Sequence, residues 1–228
     1  MEKFAQDIWI FEGPDVQFLG LPYSTRMTVV KLPSGDLWVH SPIQLSPPLF
    51  EQITRLGPIK YLIAPNHLHH LFLPDWVAAC PDALVYGTDE VIKKRRDIVF
   101  SASLNATKSF AWNDNISQLL FSGSRLMEEC VFFHQTSNTL IVTDLIENFS
   151  GENFTRWQRW LARVVGILAP NGQMPLDWRL SFQFNKSVAR QHLIEIQSWQ
   201  PERIVMAHGE PIREEARGFL ARSFRWLL

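Results

Sequence analysis

The chain has 228 residues, 22 basic and 23 acidic, for a formal net charge of −1, with 46% apolar and 20% charged residues. These values describe an ordinary globular protein with room for one large core, and they argue against a disordered chain or a dedicated nucleic-acid binder. No run approaches the roughly 18 apolar residues of a membrane span, and no basic segment leading into an apolar one marks a secretion signal.

In chain order, Ile8 to Glu12 reads as a first strand, with Gly13-Pro14-Asp15 as its turn and a loop through Pro22 and Tyr23-Ser-Thr-Arg26. Met27 to Lys31 and Leu37 to His40 flank Pro33-Ser-Gly-Asp36 as a hairpin. Ser46 is the expected N-cap of a helix that runs to Leu56 and stops at Gly57-Pro58. The brief apolar run Tyr61-Leu-Ile63 then reads as a buried strand leading into Pro65-Asn-His-Leu-His-His70. A helix over Pro74–Cys80 and a strand ending at Tyr86 complete a βαβ unit, which argues for a layered α/β fold. Lys93 to Asn115 is loop-rich, and Lys93-Lys94-Arg95-Arg96 reads as a solvated face.

Strands are expected over Ile116–Leu120, Cys130–Phe133, Leu140–Asp144 and Arg203–Ala207, and helices over Phe154–Leu168, Lys186–Trp199 and the tail Glu214–Leu228. Intervals of three and four place Phe154, Trp157, Leu161, Val164, Val165 and Leu168 on one helix face. The simplest outcome is a core-packed helix with solvated arginines, ended by Ala169-Pro-Asn-Gly172; the sharper one offers a Trp-rich face to a protein partner or a lipid surface. Without a linker or repeat, residues 1–228 read as a single domain. Cys80 and Cys130 fit neither a disulfide framework nor a metal knuckle, so a reducing, cytoplasmic setting is expected. With 9 Trp and 16 Phe, an aromatic-rich core or an apolar contact surface is also expected.

Three apolar strands each run into residues capable of metal or acid–base chemistry: His67, His69 and His70; Asp144; and His208. In one sheet system their ends converge on one cleft. Imidazoles with a carboxylate suit zinc, and iron or manganese when oxygen ligands are added. His40 reads as structural packing, His192 as a satisfied core histidine, and Arg26 as a surface ion pair that could also reach an anionic substrate.

The segments Leu32-Pro-x-Gly-Asp-Leu-Trp-Val-His-Ser-Pro42, Ala64-Pro-Asn66, His69-His-Leu-Phe72, Phe132-Phe-His134 and Thr139-Leu-Ile-Val-Thr-Asp144, with Ala207-His-Gly209, resemble the metallo-β-lactamase fold family, in an uncharacterised branch. The resemblance spans residues 8–212 and implies a four-layer αββα sandwich with a metal cleft along one edge of the sheets. It also implies water activation against an ester, thioester, amide or phosphoester of a small-molecule substrate. The family's His-x-His-x-Asp-His motif is altered here. In one register His67 and His70 match the second and last histidines, Pro65 replaces the first and His69 replaces the Asp; in the other, His67 and His69 match the first pair. Asp144 and His208 match the family's later ligands, while His134 lies in the interval of its middle histidine. The resemblance thus implies a reduced, mononuclear zinc or iron site drawn from His67, His69, His70, Asp144 and His208, with Asp144 catalytic. The alternative is a vestigial, metal-free site in a non-catalytic scaffold that contacts a protein through Phe154–Leu168.

Overall fold

The computed structural model describes residues 1–18, 20–106 and 109–227, the side chains of Phe18 and Leu21 excepted. Leu228 of the expected helical tail, and Thr107 and Lys108 of the expected loop, lie outside the described residues.

Two sheets form the centre. The first has seven strands in sequence order: β1 (Glu2–Ala5), β2 (Ile8–Phe18), β3 (Leu21–Lys31), β4 (Leu37–His40), β5 (Ile59–Ala64), β6 (Leu84–Gly87) and β7 (Ala102–Ser103). The second has four: β8 (Ile116–Phe121), β9 (Glu129–His134), β10 (Thr139–Ile141) and β11 (Arg203–Val205), ordered β11-β10-β9-β8. Side chains alternate between two cores, as a period of two demands. Trp38, Tyr61 and Ile63 meet Cys130, Phe132, Ile141 and Val205 between the sheets. Leu37, Val39, Leu62 and Ala64 point the other way, beneath α1 (Pro47–Thr54), α2 (Leu73–Ala79) and α3 (Asp89–Lys94). Beyond α4 (Arg156–Val165), the helices α5 (Leu176–Ser181), α6 (Lys186–Ser198) and α7 (Ala216–Ser223) cover Val131, Leu140 and Ile204 of the second sheet. The central strands β4, β5, β9 and β10 are therefore buried on both faces along most or all of their length, which is why they read as largely apolar runs. The layering is the expected αββα sandwich. Trp38, Trp76 and Trp112 lie fully inside it, so much of the aromatic content is core.

Three expectations change. Gly13-Pro14-Asp15 is not a turn: β2 and β3 form one long hairpin from Ile8↔Val30 to Phe18↔Leu21, with a register shift between Gly13 and Val16. A bulge accommodates Pro14, which cannot donate to the ladder, and the Tyr23–Arg26 segment becomes strand. The helix expected over Phe154–Leu168 is the shorter α4, started by a Thr155/Gln158 capping box and ended by Gly166 at φ 86° rather than by Ala169–Gly172. Nor is it core-packed throughout: Trp157, Trp160 and Val164 are 65%, 51% and 51% exposed. The short elements β1, α3, β7 and α5 carry too few periods to show in the sequence.

Candidate metal site

The parallel register Ile141↔Val205 brings the exits of β10 and β11 to one edge, and β5 exits in the facing sheet. Three residues after Ile141, Asp144 turns into the cleft; three after Val205, His208 does the same. Asn66, fully buried at the end of β5, joins the two sheets. Its Oδ1 accepts from the backbone N–H of Leu68 and His69, at 2.9 and 3.1 Å. Its Nδ2 donates toward Asp144 Oδ2 at 2.7 Å, Thr143 Oγ1 at 2.9 Å and Glu129 Oε2 at 3.1 Å. One amide thus sets both the histidine loop and the carboxylate it faces.

His69 Nε2 lies 3.2 Å from Asp144 Oδ2, and His208 Nε2 lies 3.1 Å from Asp144 Oδ1. The ligand atoms of the three residues all fall within 4.8 Å of one another. Each histidine is held by its other nitrogen: His69 Nδ1 meets Ser41 Oγ at 2.5 Å and His208 Nδ1 meets the Ser24 carbonyl at 2.6 Å. A carbonyl only accepts, so His208 Nδ1 carries hydrogen. A neutral His208 then aims its Nε2 lone pair at a carboxylate oxygen, and two lone pairs at that distance repel. A proton or a cation between them removes the repulsion. Two ligands about 2 Å from a tetrahedral ion stand about 3.3 Å apart, close to both observed separations. The donor set therefore fits zinc or iron, with the outer-nitrogen hydrogen bonds that orient ligand histidines.

The remaining expected residues go elsewhere. His67 Nδ1 meets Glu90 Oε2 at 2.7 Å, and His70 Nδ1 meets Arg95 Nη1 at 3.3 Å. Burial, then Lys94 and Arg95, lower the His70 pKa to about 4, which keeps its ring neutral. His134 closes the far end of β9, bonded to Ser137 Oγ at 2.8 Å and remote from the cleft. His40 is buried, stacked on Trp38 with ring centroids 5.5 Å apart, and His192 Nδ1 accepts from Ser122 N–H. Arg26 does pair with Glu12, but it is buried, and its Nη1 donates at 2.7 Å to the carbonyls of both Met206 and Gly209. It fixes the His208 turn rather than meeting solvent. Gly209, at φ 83°, has no room for a side chain: a Cβ would stand 2.2 Å from the Asn148 carbonyl oxygen.

Two carboxyls that the sequence did not single out complete the site. Glu129 is fully buried and accepts the backbone N–H groups of Thr143, Asp144 and Leu145 at 2.8, 2.8 and 3.1 Å. Glu147 receives the Tyr23 hydroxyl at 3.2 Å. Burial pushes the Asp144 carboxyl up, but the charges and hydrogen bonds of His69 and His208 outweigh it and hold that carboxyl well below its usual range. Burial and the Asp144 charge push Glu147 well above it. Glu129 is raised by the same two causes, against the pull of its N–H donors. The neighbours of Asp144 thus favour its ionised form, while burial and the Asp144 charge push Glu147 the opposite way. Asp144, Glu147, His69 and His208 open on a cavity of about 800 Å³.

Residues 5–156 match the family described as a domain of unknown function, DUF4336. No curated protein matches the sequence. Among solved structures, a metallo-beta-lactamase from Pontibacter korlensis is 12% identical, with a TM-score of 0.65 over 99% of this chain and 96% of that one. A metallo-beta-lactamase from Hirschia baltica is 13% identical, TM-score 0.62, over 99% and 95%. The metallo-beta-lactamase FIM-1 from Pseudomonas aeruginosa in its mono-zinc form is 9% identical, TM-score 0.62, over 99% and 93%. Likeness at this identity establishes the metallo-β-lactamase fold. Among the described residues no helix is long and apolar enough to cross a membrane.

Proposed function

The chain belongs to the DUF4336 family and carries the metallo-β-lactamase fold, and from that premise we propose a metal-dependent hydrolase with a mononuclear site. His69, Asp144 and His208 hold the ion, while His67 and His70 stay outside its shell. Zinc or iron held there supplies Lewis acidity toward a carbonyl or phosphoryl oxygen. Asp144, ionised and lining the cavity, orients the attacking water, which gives it a catalytic as well as a binding role. Glu147, pushed up by burial and the Asp144 charge, stands at the same wall as a proton-holding group, with the Tyr23 hydroxyl bond pulling the other way. The substrate is a small molecule with an ester, thioester, amide or phosphoester bond. With free Cys80 and Cys130, a cytoplasmic setting belongs to the same proposal.

The observation that carries this reading is the convergence of His69 Nε2 and His208 Nε2 on the two Asp144 oxygens, at 3.2 and 3.1 Å, with each ring held by its other nitrogen. The test is elemental analysis of protein purified without chelators. We expect about one zinc or iron per chain, lost in His69→Ala and Asp144→Ala. Metal content unchanged by either substitution overturns the site.

A second reading, a non-catalytic scaffold, has one observation of its own. Trp157 and Trp160 are exposed on α4 with their indoles stacked at 4.7 Å, a surface suited to a protein partner. No metal after zinc or iron reconstitution selects this reading.

A further inference from the structure

The cavity beside the metal cluster has walls that do not match a polar substrate. Away from His69, Asp144 and His208 it is lined by Leu68, Met127, Leu161, Val165, Ile167 and Trp178 among other apolar side chains. Two polar groups in these walls are already engaged, while His70 Nε2 is buried without a partner. Trp178 Nε1 donates to the Met127 carbonyl at 3.1 Å, and Lys94 Nζ, the single Lys or Arg side chain of the wall among the described residues, donates to the His67 carbonyl at 3.1 Å. Asp177 is the acidic wall residue beyond Asp144 and Glu147. Among the described residues no arginine lines the cavity, so a phosphate or carboxylate substituent finds no bidentate partner.

The mouth is apolar as well. Leu71, Leu126 and Leu180 line the cavity and are 61%, 55% and 59% exposed. Such side chains lose contact with water only when something apolar enters between them. At about 800 Å³ the space lies toward the upper end for a pocket that encloses most of a small molecule. One polar end and long apolar walls match an amphiphile, its head at the cluster and its tail leading outward.

We propose that the cavity takes a single-chain acyl ester or thioester. The acyl carbonyl sits at His69, Asp144 and His208, and the alkyl chain runs past Leu68, Met127 and Trp178 toward Leu180. The inference rests on the hydrolytic reading for where the carbonyl sits; the preference for a long chain rests on the walls. In the reaction, water adds to the acyl carbon and the bond from that carbon to oxygen or sulfur breaks. The departing atom takes a proton, leaving a fatty acid and an alcohol or thiol. Each methylene buried in the walls tightens binding by about fourfold.

Two measurements on the full chain test this apart from the hydrolytic reading. The first is binding of 11-(dansylamino)undecanoic acid, read by fluorescence and competed with acetate, octanoate and laurate. Enhanced, blue-shifted emission that laurate displaces and acetate does not is the expected result. Leu180→Glu, at an exposed position, and Leu161→Trp, which narrows the cavity, each weaken the probe at least tenfold. No probe binding, or displacement that ignores chain length, overturns the proposal whatever the activity. The second is hydrolysis of p-nitrophenyl acetate, octanoate and laurate. A kcat/KM that rises with chain length, and flattens in Leu180→Glu, supports it. Hydrolysis favouring acetate overturns the proposal and leaves the hydrolase standing. Chain-dependent probe binding with no turnover of any ester keeps the apolar ligand and removes the hydrolytic reading.

Discussion

The two ends of β9 hold different kinds of buried polar group. At one end Glu129 gathers three consecutive backbone N–H groups and the Asn66 amide, and so holds Asp144 between two histidines. At the other, His134 bonds Ser137 Oγ, which bonds Thr139 Oγ1, and that chain closes on the Ser137 carbonyl. Glu129 and His134 are the first and last of the six residues of this extended strand, roughly 17 Å apart. The His134 end spends its hydrogen bonds on its own turn and on Arg203 of β11, whose Nη1 donates to the Ser137 carbonyl at 3.0 Å. The Glu129 end spends its bonds on placing other groups, whose remaining atoms converge. A histidine becomes a ligand when one nitrogen is tethered and the other is left to meet a neighbour. Burial alone does not distinguish the two ends, since His134 is as buried as His208.

Substitutions that respect the two ends should separate stability from metal retention. Glu129→Leu is the largest expected effect: stranding three buried N–H donors costs on the order of 3–5 kcal/mol in denaturant unfolding, and metal retention goes with it. Asn66→Ala should weaken metal by about 10–100-fold in a chelator competition, because it frees both the His69 loop and Asp144. At the opposite end, His134→Ala should cost about 1–2 kcal/mol and leave the metal affinity as it was. Metal loss in that variant would erase the contrast.

Acid should act on His134 together with His40, His70 and His192, whose burial also lowers their pKa values, so a substitution is needed to isolate its share. Burial lowers the His134 pKa from its ordinary 6.5, with Asp7 pulling the other way. The native state therefore resists the proton, so the stability it contributes is complete above pH 6.5 and declines as pH falls below it. Urea midpoints at pH 7.5 and 5.5 should show a smaller loss in His134→Gln than in the parent chain. The smallest effect is expected of His67→Ala, a partly exposed residue paired with Glu90: within about 0.5 kcal/mol, with metal content unchanged.

The layers were legible because each strand buried on both faces leaves an apolar run, and the exits at Asp144 and His208 follow from those runs. Which loop histidine turns inward was not legible. His67, His69 and His70 occupy an irregular turn, where no period assigns a face, and their direction depends on Asn66 Oδ1 catching Leu68 and His69. Glu129 stands beside Glu128 with nothing in its spacing to mark it; its role needs the backbone of Thr143–Leu145, which only the folded chain brings to it. His134 drew attention through its place in the order of the chain, yet a strand has two ends. Gly13-Pro14 signalled a turn because its composition is the same for a turn and for a bulge. The exposure of Trp157 and Trp160 was ambiguous for a related reason, since spacing defines a helix face without saying what covers it.

The bond from His208 to the Ser24 carbonyl spans 184 residues of chain. At about 5–20 residues per second, a ribosome takes roughly 10–40 s to make that stretch. Throughout the interval the long β2–β3 hairpin exists without the turn that Arg26 will clasp, and Asp144 emerges before the histidine that completes its setting. The Asp144–His208 pair therefore forms only after every described strand of both sheets has been made, so an already assembled frame sets its geometry.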